Sequence, residues 1–150
     1  MRNQLVVCIL ISLIGAFSGA NCIAKPTGKP VGRIATNKPA LPWLQDISTA
    51  KAAAKLKHKL IVVDVFTDNC HWCKRLDQET FQNPGVISEL SSRFVWLKLN
   101  ARATTTDLKA FKIDGYPTIL VLDDNGKLVT SFSGYLPPEQ FVEKMAMLLP

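Results

Sequence analysis

The chain has 150 residues, of which 47% are hydrophobic, and a formal net charge of +6 at pH 7. Residues 41–150 contain 13 Lys and Arg against 12 Asp and Glu, so most of the excess positive charge lies before them. We therefore expect no nucleic-acid partner, because a nucleic-acid-binding domain normally has a basic face of its own, and the four cysteines are too few for a small disulfide-rich scaffold.

Residues 1–20 predict a secretory signal peptide. Arg2 precedes an apolar run at 5–17, and small residues at 18–20 offer a cleavage site, with a second choice after residue 24. An uncleaved anchor is disfavoured, because the polar break at 18–21 leaves too few apolar residues for a span of about 20. We expect an exported protein, periplasmic or secreted, without a stable membrane span after cleavage. Lipid attachment at Cys22 is an alternative.

Residues 21–42 predict a flexible basic linker. From residue 25 onward they are rich in Pro, Gly and Lys and show no apolar period. Residues 43–150 are enough for one domain with one core. Cys8 would leave with the signal peptide and Cys22 precedes the domain, so Cys70 and Cys73 are the only pair inside it.

The predicted elements of this domain alternate between helices and strands. A helix capped by Asp46 or Ser48 comes first, and a strand at 60–66 follows that is apolar enough to be buried on both faces. A helix then begins at the cysteines and ends near residue 83. The later predictions are a helical turn at 86–90, a strand at 94–100, a short helix at 104–111, a hairpin around Asn125-Gly126 and a closing helix at 138–149.

This order predicts an α/β fold. Helices between strands imply parallel pairing and the hairpin adds antiparallel strands, so we expect a mixed four-stranded sheet with helices on both faces. Such sheets usually place their chemistry at the carboxyl end of a central strand. Cys70 follows such a strand.

The run Cys70-His71-Trp72-Cys73 is compatible with several roles. Covalent haem would need a histidine after the second cysteine, where Lys74 stands. Structural zinc would need about four ligands, and this run supplies at most three. A permanent structural disulfide stays open, although so short a loop gains little chain entropy. We expect no metal and no bound cofactor.

Thiol–disulfide exchange fits the run best. Cys70 is predicted at the first turn of a helix, where unpaired N–H groups and the helix dipole favour the thiolate, and a protonated His71 would add positive charge. Because the thiolate is the attacking species, Cys70 is the predicted nucleophile. Cys73 lies one turn on, at about 5–6 Å, and can form a disulfide with Cys70 and resolve a mixed disulfide.

Residues from about 60 to 147 resemble the thioredoxin superfamily. The stretch "CHWCKRLDQETFQNPGVISEL" is similar to exported thioredoxin-like proteins and to the C-terminal domain of transmembrane disulfide reductases. The resemblance implies that Pro117 in "GYPT" is the cis-proline facing the cysteine pair and that Gly134 precedes the last helix. It also implies that Asp64 is the buried acid in proton transfer at the second cysteine, with Lys98 as its neighbour. The apolar run around Asp64 favours a raised pKa.

The inter-cysteine residues depart from the common patterns of that family, which are Gly-Pro, Pro-His and Gly-His. His71 and Trp72 stand here instead, and Asn69 replaces the usual tryptophan. The direction of electron flow is therefore open. We expect Trp72 and Tyr116 to contact substrate.

Together these observations predict an exported thiol–disulfide oxidoreductase. Its partners would be cysteine-containing proteins and an upstream redox protein. The alternative is a redox-inert binding or chaperone module in which the Cys70–Cys73 disulfide is permanent.

Overall fold

A computed structural model describes residues 39–104 and 108–149 of the chain. The predicted signal peptide, the alternative lipid site at Cys22 and the linker up to residue 38 lie outside the described residues, as does the middle of the helix predicted at 104–111. Within the described part, no helix is both long and apolar enough to cross a membrane.

The described residues contain five strands, four α-helices and one π-helix. The strands are β1 (Trp43–Leu44), β2 (Ile61–Phe66), β3 (Val95–Asn100), β4 (Thr118–Leu122) and β5 (Leu128–Ser133). The helices are α1 (Ile47–Lys57), α2 (His71–Arg75), α3 (Pro84–Leu90) and α4 (Pro138–Ala146), and a π-helix at Leu76–Phe81 continues α2.

The strands form one mixed sheet in the order β1-β3-β2-β4-β5. β1 and β2 run parallel to β3, whereas β4 is antiparallel to both β2 and β5. The predicted α/β class is confirmed, but the prediction of four strands is wrong by one. The missed strand, β1, has two residues, Trp43 and Leu44, which pair with Trp96 and Leu97. Two residues are too few to show the alternating pattern of a strand.

Both faces of the sheet are covered. Ala50 and Ala54 of α1 pack with apolar side chains on one face, and residues of the π-helix, α3 and α4 pack on the other. Leu41, from the end of the predicted linker, is 5% exposed and joins the second cluster. The packed region therefore includes Leu41.

Local signals locate two element boundaries. The carboxylate of Asp46 accepts a hydrogen bond of 2.7 Å from the N–H of Thr49, as predicted for the cap of α1. Gly126 lies in the turn that joins β4 to β5. Its φ of 86° would be strained in a residue that has a side chain. The sequence-predicted hairpin is confirmed.

Candidate active site

The two cysteines lie where β2 leads into α2. Cys70 caps α2, and its sulfur is joined to that of Cys73 in a disulfide with a Cα–Cα distance of 5.2 Å. The backbone N–H of Cys73 points at the sulfur of Cys70, with a nitrogen–sulfur distance of 3.0 Å. Cys73 is only 4% exposed, whereas Cys70 is half-buried. The two sulfurs are therefore unequal in access, and only Cys70 accepts a backbone hydrogen bond that would also stabilise a thiolate.

A group of charged side chains lies on the same side of the sheet as α2. Asp64 of β2 is 2% exposed and pairs in register with Lys98 of β3. The ammonium of Lys98 lies 3.2 Å from Asp64 Oδ2 and also contacts the carboxylate of Asp77. Asp77 stands one helical turn after Cys73, so this ion-pair network places Asp64 under the segment that carries Cys73.

Burial dominates the ionisation of Asp64. Burial raises the pKa of Asp64 most and the negative charge of Asp77 also raises it, whereas Lys98 lowers it, and together they bring the pKa from 3.8 to about 6. The oxygen Oδ1 of Asp64 has no hydrogen-bond partner among the described residues, so the charged form is incompletely stabilised. A carboxyl group with this pKa can accept and return a proton near neutral pH.

Pro117 and Tyr116 lie at the same edge of the sheet as the cysteines. The bond between Tyr116 and Pro117 is cis, as the family resemblance implies. Thr118, the next residue, pairs with Val65 near the end of β2, so Pro117 lies at the carboxyl end of that strand. Tyr116 is 41% exposed, whereas Pro117 is buried, and the Pro117 carbonyl accepts a bond of 2.8 Å from the N–H of Gly134.

His71 and Trp72 project from the first turn of α2. His71 is exposed, and Trp72 is 49% exposed, with its ring centroid 5.6 Å from that of His71 in an edge-on arrangement. The structure thus leaves a large part of the indole free to contact another molecule.

Residues 47–148 match the protein family described as "Thioredoxin-like domain". The chain belongs to the thioredoxin-like family. The match spans β2, the cysteine pair, Pro117 and α4. This membership agrees with the resemblance seen in the sequence.

The curated relatives of this thioredoxin-like chain include thiol:disulfide interchange proteins named DsbD. That of Haemophilus ducreyi is 28% identical over 156 residues, covering 95% of this chain and 26% of the relative. That of Pseudoalteromonas atlantica is 29% identical over 145 residues, covering 88% and 24%. The chain therefore spans about a quarter of the length of these relatives.

Solved structures show the same fold. A thioredoxin from Thermus thermophilus superposes with a TM-score of 0.64 at 20% identity, covering 73% of this chain and 87% of the other. The oxidised C-terminal domain of DsbD from Neisseria meningitidis gives 0.59 at 21% identity, covering 67% and 90%.

Sequence reasoning missed Asp77 in this thioredoxin-like site. Its position four residues after Cys73 placed it on the same helical face, which is a signal that could have found it. Its contact with Lys98 depends on how β3 lies against the π-helix, which the sequence does not show. Arg75 was expected only to add positive charge near Cys70, and its contacts with the rings of Trp72 and Tyr135 were not foreseen. Tyr135, which also contacts the ring of Trp72, and Glu79, which binds Arg75 and Tyr135, were missed.

Metal binding has no support in the described residues. Within residues 39–104 and 108–149, no three His, Cys, Asp or Glu side chains are grouped so that they could hold a metal ion. The expected absence of a metal and of a cofactor stays a prediction.

Proposed function

We propose that this thioredoxin-like chain is an exported thiol–disulfide oxidoreductase that exchanges disulfides with cysteine-containing proteins. The observation that carries the proposal is the difference between the two cysteines. Cys70 is accessible and its sulfur accepts a hydrogen bond from the N–H of Cys73, whereas Cys73 itself is buried. That arrangement suits one attacking and one resolving sulfur.

In the reducing direction, the Cys70 thiolate attacks one sulfur of a substrate disulfide. A Cys70–substrate disulfide forms, and the other substrate sulfur leaves as a thiolate. Cys73, deprotonated by Asp64, then attacks the Cys70 sulfur, so that the Cys70–Cys73 disulfide forms and the second substrate sulfur leaves. Two electrons pass from the chain to the substrate. An upstream redox protein would return them, and the reverse sequence oxidises a substrate dithiol.

The remaining site residues have supporting roles in this proposal. Lys98 limits the rise in the pKa of Asp64, and His71, when protonated, favours the Cys70 thiolate through its positive charge. Trp72 and Tyr116 contact the substrate, and the backbone at Pro117 receives it as an extended segment.

Trapping of mixed disulfides tests the assignment of the two sulfurs. Cys73→Ser should attack a reduced-and-reoxidised protein extract but fail to release its targets, so reductant-sensitive adducts should accumulate through Cys70. Cys70→Ser is the matched control and should trap almost nothing. Equal trapping by both variants would refute the nucleophile assignment, and adducts from neither would indicate an inert disulfide.

Two further measurements define the physiological role. A reduction potential near about −270 mV would identify a reductant and one near about −120 mV an oxidant, since these are the values of thioredoxin and of a strong periplasmic oxidant. Mass spectrometry of the protein recovered from the exported fraction tests cleavage. A chain that keeps residues 1–20 would refute the signal-peptide assignment.

A further inference from the structure

Arg75, two residues after Cys73, contacts two neighbouring aromatic rings. Its guanidinium carbon is 5.5 Å from the ring centroid of Trp72 and 4.6 Å from that of Tyr135, and the two ring centroids are 6.1 Å apart. Both rings therefore contact the same cation, which attracts their π-faces. We call these three residues, with Glu79, the Trp72 clamp.

Glu79 links Arg75 and Tyr135 within the Trp72 clamp. Its Oε1 accepts a bond of 3.0 Å from Arg75 Nε, and its Oε2 accepts the hydroxyl of Tyr135. These contacts lower the pKa of Glu79, first through the Tyr135 hydroxyl and then through Arg75. The side chains of Arg75 and Glu79 pair with each other while staying 43% and 46% exposed, and the indole of Trp72, which is 49% exposed, is the apolar surface of the clamp that another molecule can reach.

Tyr135 belongs to a segment that connects two parts of the site. Its neighbour Gly134 donates to the carbonyl of Pro117 at 2.8 Å. Its other neighbour, Leu136, accepts a bond of 2.6 Å from the hydroxyl of the buried Thr80 in the π-helix. The backbone at Tyr135 is thus tied to the loop of Pro117 on one side and to the helical segment after Cys73 on the other, so the ring has a defined position from which to hold Trp72.

We propose that Tyr135 is a specificity-determining positioning residue, which acts with Arg75 and Glu79 to hold the indole of Trp72 in place beside Cys70 for polypeptide substrates that present an apolar or aromatic side chain next to their cysteine. The inference rests on the proposed function. An exposed indole that is already held loses less conformational freedom when a substrate packs on it, which favours binding of such substrates. A small disulfide that reaches Cys70 without touching Trp72 gains nothing from the clamp. Tyr135 therefore acts on substrate preference rather than on the chemistry of the sulfurs.

The test compares a protein disulfide with a small one. Second-order rate constants for reduction of insulin and of bis(2-hydroxyethyl) disulfide are measured for the unsubstituted chain, Tyr135→Ala, Tyr135→Phe and Glu79→Gln. The ratio of the insulin constant to the small-disulfide constant should fall roughly two- to tenfold in Tyr135→Ala, the range expected when one side chain is no longer held. Tyr135→Phe and Glu79→Gln keep the ring and should show a smaller fall.

A spectroscopic measurement separates positioning from general structural damage. The emission of Trp72 is obtained by subtracting the spectrum of Trp72→Phe, which leaves Trp43 and Trp96, and its quenching by acrylamide should increase in Tyr135→Ala. Leu56→Ala is the control, because Leu56 is 81% exposed on α1 and should change neither quantity. An unchanged ratio, or unchanged quenching of Trp72, in Tyr135→Ala overturns the inference. Absence of exchange with either disulfide in the unsubstituted chain would instead overturn the proposed function.

Discussion

The two faces of the sheet differ although the same strands supply both. Toward α1, the side chains of β2 and β3 are all aliphatic: Ile61, Val63, Val65, Val95, Leu97 and Leu99. Toward α2, the alternate positions of the same strands include Asp64 and Lys98 together with large aromatic neighbours. Trp43 and Phe81 lie with their ring centroids 5.2 and 5.8 Å from the Lys98 ammonium.

On the α1 face these two strands present only aliphatic side chains, whereas the α2 face combines an apolar cluster with the charged groups of the site. Apolar burial on the α1 face favours folding at about 25 cal/mol per Å². On the α2 face, a buried carboxylate opposes folding at neutral pH, as its pKa of about 6 shows. The carboxylate of Asp64 costs stability and yet lies on the face that the cysteine-bearing helix covers. This position supports a chemical role for Asp64. The variants below test that division, from the largest expected effect to the smallest.

Leu97→Ala should weaken packing on the α1 face and leave the charged groups on the α2 face unchanged. Leu97 is fully buried, so its truncation should lower the free energy of unfolding by about 2–5 kcal/mol, from lost burial and the cavity left behind. Urea denaturation measures this, with Leu56→Ala expected to stay within about 0.5 kcal/mol of the unsubstituted chain. The rate constants for disulfide exchange of the folded molecule should not change. A shifted pH profile of exchange in Leu97→Ala would mean that the two faces are not independent.

Asp64→Asn should have opposite effects on stability and on chemistry. The pKa of Asp64 is about 6 in the folded chain and near 3.8 when unfolded, so the folded state binds the proton more tightly and loses stability as pH rises from about 4 to 6. Asp64→Asn removes this loss and should raise the free energy of unfolding by up to about 3 kcal/mol at pH 7–8. The gain should shrink between pH 6 and 4 and vanish below that range.

The same substitution should slow the resolving step. Removal of a general base lowers a rate by roughly 100-fold or more, and only the attack of Cys73 on the mixed disulfide should be affected. Stopped-flow measurement of mixed-disulfide formation and decay distinguishes the two steps. Equal slowing of both would remove the role assigned to Asp64.

Lys98→Met should change the pKa of Asp64 on the α2 face. Without the ammonium, the pKa of Asp64 should rise above about 6, because Lys98 opposes the effect of burial. The midpoint of the pH profile of the resolving step should move upward by roughly one pH unit. Asp77→Asn should move it downward, because Asp77 raises the pKa of Asp64. Shifts in the same direction for the two variants would contradict the arrangement of the three charges.

His71→Ala should have the smallest effect. Loss of a side chain that is positive when protonated should slow alkylation of reduced Cys70 by iodoacetamide about two- to tenfold at pH 6–7, because fewer molecules carry the thiolate. His58→Asn is the matched control, since His58 is the other histidine and caps α1 with a φ of 50°, which asparagine tolerates. An unchanged rate in His71→Ala would mean that the imidazole points away from the sulfur.

Much of the site could be predicted because its signals are local. The spacing of Cys70 and Cys73 and the strand before them already indicated a reactive pair at a helix start. Asp64 was recognisable as a charge inside an apolar strand. The two-residue strand β1 was not predictable, since its pairing with β3 has no sequence period, and the π-helix continuing α2 gave no pattern distinct from an α-helix.

By itself, therefore, the sequence determined the fold class and the cysteine pair, because these follow from spacing and hydrophobic period within a few residues. The resemblance to the thioredoxin superfamily added the expectation that Asp64 is a buried acid. The tertiary structure alone decided which groups surround that chemistry. Asp77 and Lys98 are 21 residues apart and Glu79 and Tyr135 are 56 apart. Such contacts arise only when strand register and helix packing bring distant segments together, and each side chain then acquires its ionisation and its position from neighbours that the local sequence does not contain.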